Sequence, residues 1–201
     1  DIMLNYVSAS DRMVQIGQWQ RSQPHFVDAI NYVHSGKLGE IRLAKAWAYQ
    51  GWMKPVPIVP DISVPEGVDY KMWLGPAHER PFNPNRFHFN FRWFWDYAGG
   101  LMTDWGVHLI AFIGNNGTLV LDRQGWEIIP EEEFQGWGQR GIPKMEASSF
   151  DRGELSGLDL HTANFIEAVK NRDASKLNAP IKVGYDAALV SHMGNVAFKT
   201  G

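Results

Sequence analysis

The sequence predicts an α+β protein, because helix-like and strand-like patterns alternate along one chain of 201 residues. Apolar residues recur at helical spacing over residues 26–33, which predicts a helix with one buried face. Alternation of side chains over 41–49 predicts a strand. Asn116-Gly117 stands between two apolar runs and predicts a β-hairpin, with a further strand at 126–129.

The first residues predict the end of a parallel α/β unit. Residues 2–9 have the pattern of an amphipathic helix, and the apolar run at 13–17 predicts a buried strand after it. Neither G-x-G-x-x-G nor a P-loop occurs in the sequence. We therefore expect a short helix and strand here without the glycine turn that binds a dinucleotide.

The helix predicted at 26–33 has clear signals at both ends. Ser22 is a good N-cap, Pro24 suits the first turn, and Gly36 ends the helix. The strand predicted at 41–49 ends in aromatic residues, which we expect to border a pocket.

Two long irregular segments follow, a proline-rich one at 51–68 and an aromatic-rich one at 76–90. Between them, Asp69 is expected to cap a short helix that Gly75 ends. Loops of this length in a compact domain are often functional, and the aromatic content favours an ordered, functional role.

The last third of the chain predicts a loop and two helices. Residues 131–156 are polar and glycine-rich, which predicts a loop. Helical spacing predicts helices at 158–170 and 184–199. On the last helix the residues expected to face inward are Leu189, Met193 and Val196.

The composition excludes several kinds of partner. A net charge of −3 without a dense basic run argues against nucleic acid and anionic membranes. The absence of cysteine excludes disulfides and thiolate chemistry. No apolar run approaches the ~20 residues that cross a bilayer, and the first residues lack the pattern of a signal peptide. The compartment stays open between cytoplasm and periplasm.

The strongest chemical pattern lies between Gly99 and His108. Asp104 and His108 are four residues apart on a predicted helix and therefore share one face. An imidazole titrates near neutral pH, and a neighbouring carboxylate can orient it, which suits proton transfer. A solvated Asp–His pair is the alternative from spacing alone. Trp93 and Trp95 nearby favour a concave, partly dry site.

Several motifs, taken together in chain order, resemble the Gfo/Idh/MocA family of oxidoreductases, and the resemblance covers nearly the whole chain. The motifs are Val14–Gly17 with Gln20–Ser22, Trp73–Pro76, Ala98–His108, Gly114–Leu119, and Asn164–Phe165 with Gly194–Ala197.

The resemblance implies an open, mainly antiparallel sheet flanked by helices, in a C-terminal domain at 22–201 that contacts substrate and other subunits. Residues 1–21 would then be the remnant of an N-terminal domain that binds NAD or NADP. Family members carry a further sheet-forming stretch where Ala111 meets Phe112, so we expect a missing segment near 111–112. The members that this sequence resembles most are bacterial.

The resemblance also implies a function and a set of site residues. The protein would be an NAD(P)-dependent oxidoreductase acting on a CH–OH group of a sugar, cyclitol or related polyol. His108 would accept the hydroxyl proton, and Asp104 would bind substrate or orient His108. The candidates for substrate contact are Arg21, Trp93, Trp47, His88 and Arg86, and those for cofactor contact are Gln20 and Arg21.

Three alternatives stay open at this point. One is an NAD-dependent glycosidase of the same superfamily that uses the same pair. Another is a non-catalytic module for sugar binding and oligomerisation. Because the chain has no cofactor fingerprint and hydride transfer needs a cofactor, we expect the chain alone to be inactive. The least favoured is a metal-dependent hydrolase using Asp104, His108 and His88, because no tight ligand motif is present. The resemblance also implies a homo-oligomer formed through the sheet.

Overall fold

The structure, a computed structural model, describes residues 1–47, 53–105 and 110–201, with the side chain of Trp105 excepted. The chain divides into two compact units. Unit 1 comprises Asp1–Trp47 and Val107–Ala188, and unit 2 comprises Ala48–Gly106 and Leu189–Gly201. The described residues contain both helices and strands, which confirms the predicted α+β class.

Unit 1 contains a five-stranded antiparallel sheet. Its first four strands are β1 (Ile41–Ala46), β2 (Ile110–Gly114), β3 (Gly117–Leu121) and β4 (Gly125–Pro130). A small hairpin of β5 (Glu132–Glu133) and β6 (Ile142–Pro143) precedes the fifth strand, β7 (Ser149–Asp151). The order is β1-β2-β3-β4-β7 with every neighbour antiparallel, which confirms the expected open sheet.

Six α-helices occur in the described residues. They are α1 (Ile2–Ser8), α2 (Pro24–His34), α3 (Tyr70–Leu74), α4 (Gly100–Trp105), α5 (Gly157–Asn171) and α6 (Ile181–Thr200). Short 3₁₀ helices lie at Trp19–Ser22, Pro84–Arg86, His88–Trp93 and Ala174–Lys176.

Helix α2 covers one face of the sheet and forms the core of unit 1. Phe26 and Ala29 of α2 are buried with alternate residues of β3 and β4, because successive side chains on a strand point to opposite faces. Leu119 pairs with Ile128 across the two strands, and both are buried. The remaining buried members of this cluster are Leu38, Leu121 and Trp126.

The other face of the sheet carries both apolar and polar side chains, and two of its large apolar residues are exposed. Leu43 on β1 and Ile129 on β4 point away from α2 and are 50% and 52% exposed. Strand β1 lies at an edge of the sheet, and all six of its residues are exposed. Its outer backbone edge therefore has no strand partner among the described residues.

The N-cap predicted for α2 was wrong by one position. The helix begins at Pro24 with Gln23 as its N-cap, and no side chain caps it. Ser22 belongs to the preceding 3₁₀ helix, and its hydroxyl lies 2.7 Å from Nδ1 of the buried His161. A tertiary partner has taken the hydroxyl that the local pattern assigned to the cap.

The strand predicted at 13–17 is also not formed. Gln15 makes an isolated antiparallel bridge to Pro180, and the N–H of Ile16 donates to the carbonyl of Ala179. A strand needs an extended neighbour to complete its hydrogen bonds, and none flanks 13–17 in the described residues. The division into 1–21 and 22–201, and the missing segment expected near 111–112, stay predictions.

Two further expectations for the last third of the chain were wrong. The predicted loop at 131–156 contains β7, which pairs with β4 through Trp126 and Phe150. Helix α6 does not bury Leu189, Met193 and Val196, which are all exposed. The apolar side chains of α6 lie on several faces of the helix, so their spacing did not identify the buried face.

Unit 2 is organised around aromatic rings. Tyr70 and Trp73 of α3 contact Phe82, Phe87 and Tyr97, with ring centroids 5.0 to 5.8 Å apart. Helix α3 has the predicted ends, since the Asp69 carboxylate accepts from the Met72 N–H at 2.9 Å and Gly75 follows with a positive φ. Burial raises the pKa of the Tyr70 hydroxyl.

Candidate functional site

Asp104 lies on the last turn of α4 and is held by an arginine that the sequence did not single out. Its Oδ2 accepts a hydrogen bond from Nη1 of Arg92 at 2.6 Å. The two side chains are 36% and 20% exposed respectively, so the pair is only partly solvated. His108, the predicted partner of Asp104, lies outside the described residues.

Arg92 is itself fixed at two other points. Its Nε donates to the carbonyl of Phe89 at 2.8 Å, and its guanidinium carbon lies 4.4 Å from the centroid of the Phe89 ring. A planar guanidinium that stacks and donates in this way loses little further freedom when it binds a carboxylate. Asp104 is therefore anchored to the 3₁₀ helix that precedes it in the chain.

The glycines before Asp104 are needed for the start of α4. Gly100 has φ +69°, a conformation that other residues rarely adopt. A side chain at Gly99 would come within 2.6 Å of Asn195 and Thr103. Asn195 also donates from Nδ2 to the Gly99 carbonyl at 2.9 Å, so α6 packs directly on this turn.

A cavity of about 600 Å³ lies between the extended segment 56–61 and the segment 83–94 of unit 2. Arg86 crosses it, donating from Nη2 to Asp61 Oδ1 at 2.9 Å and to the Pro81 carbonyl at 2.8 Å. Asn83 donates to the same Asp61 oxygen at 2.8 Å. Nε of Arg86 is buried with no hydrogen-bond partner in the part of the chain that is described.

A second cavity of about 390 Å³ adjoins the first. Met53, Lys54, Val56, Phe89, Asn90 and Trp93 line it. Val56 lines both cavities, so the two adjoin at that residue. We call the two cavities together the Val56 groove. Its size falls within the ~300–1,000 Å³ that is usual for small-molecule sites.

The structure brings some of the predicted substrate contacts to this groove. Arg86 and Trp93 both line it, each in a different cavity. His88 is exposed with φ +23°, and its ring lies 4.1 Å from that of Phe87 rather than among the lining residues. Trp47 belongs to unit 1, where it is half-buried at the end of the described segment.

The predicted cofactor contacts also belong to unit 1, on the 3₁₀ helix Trp19–Ser22. Arg21 is exposed, and its Nε donates to the Asn178 carbonyl at 3.2 Å. Gln20 is buried. One exposed guanidinium beside a buried amide, without a glycine turn at a helix start, does not fit a dinucleotide. These residues alone do not form an NAD or NADP site.

The buried His161 has a structural environment. Its Nε2 donates to the Ile16 carbonyl at 2.8 Å, which leaves Nδ1 to accept from the Ser22 hydroxyl. Asn178 donates in turn to that hydroxyl at 2.9 Å. These hydrogen bonds link α5 to the N-terminal segment.

The described residues contain neither a cluster of metal ligands nor a membrane-spanning helix. No three His, Asp or Glu side chains converge there as a set of metal ligands. No helix in the described ranges is both long and apolar enough to cross a membrane.

Sequence reasoning missed four groove and site residues: Lys54, Asp61, Asn83 and Arg92. Arg92 stands twelve residues before Asp104 in an aromatic run, and no short-range pattern marks such a pair. The 22-residue separation of Asp61 and Asn83 is likewise set only by the tertiary fold. The one available signal was the polar content of two loops that were already predicted to be functional.

Comparison with known proteins relates one part of the chain to a protein family. Residues 42–116 match the family described as "Oxidoreductase family, C-terminal alpha/beta domain", within the Gfo/Idh/MocA proteins. The matched segment begins in β1 and ends in the turn before β3. It includes Asp104 and the residues that line the Val56 groove. No curated protein and no solved structure matched the chain.

The family match confirms the resemblance found in the sequence. Residues 42–116 are similar to the C-terminal domain of Gfo/Idh/MocA-type oxidoreductases, and the open antiparallel sheet of unit 1 agrees with that similarity.

Proposed function

We propose that this chain supplies the substrate-binding part of an NAD(P)-dependent oxidoreductase that acts on a CH–OH group of a sugar, cyclitol or related polyol. The main support is that the family match includes a groove with both polar and aromatic lining. Carboxylate, amide and guanidinium groups pair with ligand hydroxyls, while an aromatic face accepts the apolar side of a sugar ring.

In this proposal the groove residues divide the work of binding. The Arg86–Asp61–Asn83 network holds hydroxyl groups, because its members have further donors and acceptors beyond their mutual bonds. Trp93 provides the ring face in the neighbouring cavity. Both of these binding groups lie in unit 2.

His108 is the proposed group that accepts the hydroxyl proton, and Asp104 is its positioning partner. Arg92 holds the Asp104 carboxylate at 2.6 Å and supplies a compensating positive charge. A carboxylate held in that way is suited to orient a neighbour rather than to carry the proton itself. We assign NAD or NADP binding to residues other than Gln20 and Arg21, because Gln20 is buried and the two do not form a dinucleotide site.

Ligand binding by the 201-residue chain tests the substrate site. We expect D-glucose or myo-inositol to bind weakly, as measured by ligand-observed NMR, and Trp93→Ala to weaken binding by about tenfold. Trp137→Ala is the matched control, because Trp137 is 97% exposed and lies outside the groove. Equal effects of the two substitutions, or no polyol binding, would contradict the proposal.

We also propose that copies of the chain associate through the open face of the sheet. Leu43 and Ile129 leave apolar surface uncovered on that face, and burial of such surface favours association. The double variant Leu43→Glu, Ile129→Glu is expected to sediment as a smaller species than the parent. The control is Met72→Glu, because Met72 is also apolar and exposed but lies on α3, outside the sheet. This variant is expected to leave the sedimentation unchanged.

A further inference from the structure

The charges that line the Val56 groove do not balance. Three of its described lining residues are charged: Lys54, Asp61 and Arg86. Asp61 and Arg86 form an ion pair at 2.9 Å and neutralise one another. Lys54 makes no hydrogen bond or ion pair with any described residue. Among its described lining residues the groove therefore carries one positive charge without an ion-pair partner, on the exposed Lys54, in a chain whose net charge is −3.

The surroundings of Lys54 define what that charge can bind. It shares a cavity with the Trp93 ring, the Phe89 ring and the Asn90 amide. The Arg92 guanidinium, stacked on Phe89, adds no free charge because Asp104 neutralises it. The cavity thus combines an aromatic face, an amide and a single ammonium group.

We propose that the natural ligand of the groove is a sugar acid, with its carboxylate paired to Lys54. The inference rests on the proposed function and specifies its substrate class. The ring lies on Trp93, and the hydroxyl groups extend past Val56 toward the Arg86–Asp61–Asn83 network. A carboxylate carries one negative charge and matches the single free lysine. A phosphate ester carries about −1.5 to −2 at neutral pH and would leave charge unpaired.

The test compares three probes on the 201-residue chain at neutral pH and low salt: D-glucuronate, D-glucose and D-glucose 6-phosphate. We expect glucuronate to bind about fivefold more tightly than glucose, which is the contribution of one partly solvated ion pair. The preference should shrink in added sodium chloride, since salt screens an exposed pair.

Matched variants assign the preference to Lys54. Lys54→Gln is expected to bring the two affinities together, while Lys54→Arg keeps the preference for glucuronate. Lys71→Gln on α3 makes the same change in net charge outside the groove and is expected to preserve the preference. Loss of preference in Lys71→Gln as well would show only a general charge effect and would overturn the inference.

The remaining outcomes separate this inference from the proposed function. Equal binding of glucose and glucuronate by the parent chain overturns the sugar-acid assignment and leaves the polyol site standing. Tighter binding of glucose 6-phosphate than of glucuronate overturns the carboxylate assignment. Binding of none of the three overturns both proposals.

Discussion

Replacing Arg92 with methionine tests whether Asp104 is anchored in the way the structure describes. The substitution removes the guanidinium that donates to Asp104 at 2.6 Å but keeps an unbranched apolar chain against the Phe89 ring. Packing is thereby largely retained, and the lost interaction is mainly electrostatic. Asp104→Asn removes the charge from the other side of the pair.

The expected magnitude follows from the burial of the two side chains. Exposed ion pairs contribute ~0.2–1 kcal/mol, whereas breaking a buried pair costs ~3–5 kcal/mol. Arg92 is 20% exposed and Asp104 is 36% exposed, which places the pair between those limits and closer to the exposed one. We expect a coupling free energy of about 1–1.5 kcal/mol.

A double-mutant cycle measures this coupling directly. Urea unfolding of the parent chain, the two single variants and the double variant gives four free energies of unfolding. The effect of the double substitution minus the sum of the two single effects is the coupling free energy of the pair. Tryptophan fluorescence should report on unit 2, since five of the nine tryptophans lie within 48–106. The Arg92→Lys variant should recover only part of the coupling, because a lysine cannot stack and donate in the same plane.

A coupling below about 0.3 kcal/mol would refute the reasoning, because additivity within that margin is typical of residues that do not interact. Asp104 would then be free to adopt other positions, and its proposed role beside His108 would lose its structural basis. Coupling of the expected size, together with retained sugar binding in Arg92→Met, would separate anchoring of Asp104 from recognition of the ligand.

Three further predictions concern unit 1. Leu119→Ala should cost about 2–5 kcal/mol in urea unfolding because Leu119 is fully buried, whereas Leu43→Ala on the open face should cost about 1 kcal/mol or less. Burial lowers the pKa of His25 below its ordinary value of 6.5, with Nε2 donating to the Asp122 carbonyl. Below pH 6.5 the unfolded chain therefore binds more protons at His25 than the folded chain does. The free energy of unfolding should fall as the pH is lowered from there, by at most about 1.4 kcal/mol per pH unit. The fall should be smaller in the His25→Gln variant. Gly114→Ala should cost about 1–3 kcal/mol, because the new methyl group would overlap the Leu38 carbonyl; Gly17→Ala, with open space around it, should be near neutral.

The elements that could be predicted from the sequence are those specified by local signals. The hairpin of β2 and β3 turns at the predicted asparagine–glycine stretch, which is a strong local turn signal in the sequence. Helix α3 has its expected cap at Asp69 and its stop at Gly75. Helix α5 spans Gly157–Asn171, where one apolar stripe at regular spacing indicated its position.

The elements that were missed depend on partners remote in sequence. Strand β7 has three residues, too few for an alternating pattern, and it is defined by pairing with β4. The buried side of α6 depends on which elements pack against it, so its apolar residues alone could not identify that side. The free charge on Lys54 appears only after the fold pairs Arg86 with Asp61.

The candidate site could be predicted only in part, because some of its residues are neighbours in the sequence and others are brought together only by the fold. The Gly99-Gly100 turn and Asp104 follow each other closely, so their motif is visible in the sequence. The Val56 groove is formed by two loops about thirty residues apart, and only their polar and aromatic composition suggested a function. Arg86 and Trp93 were predicted individually, but not their places in adjoining cavities.

The exposed edge at β1 affects how the protein behaves at high concentration. An unpaired strand edge is a template for an extended segment of another molecule, and uncontrolled addition of strands leads to fibres. Arg42 and Lys45 stand on this edge, and both side chains are exposed. On an added copy of β1 the same positive charges would lie close to these side chains and repel them, so the two residues oppose pairing between edges. Removing both charges is expected to leave the melting temperature nearly unchanged and to accelerate precipitation at high concentration.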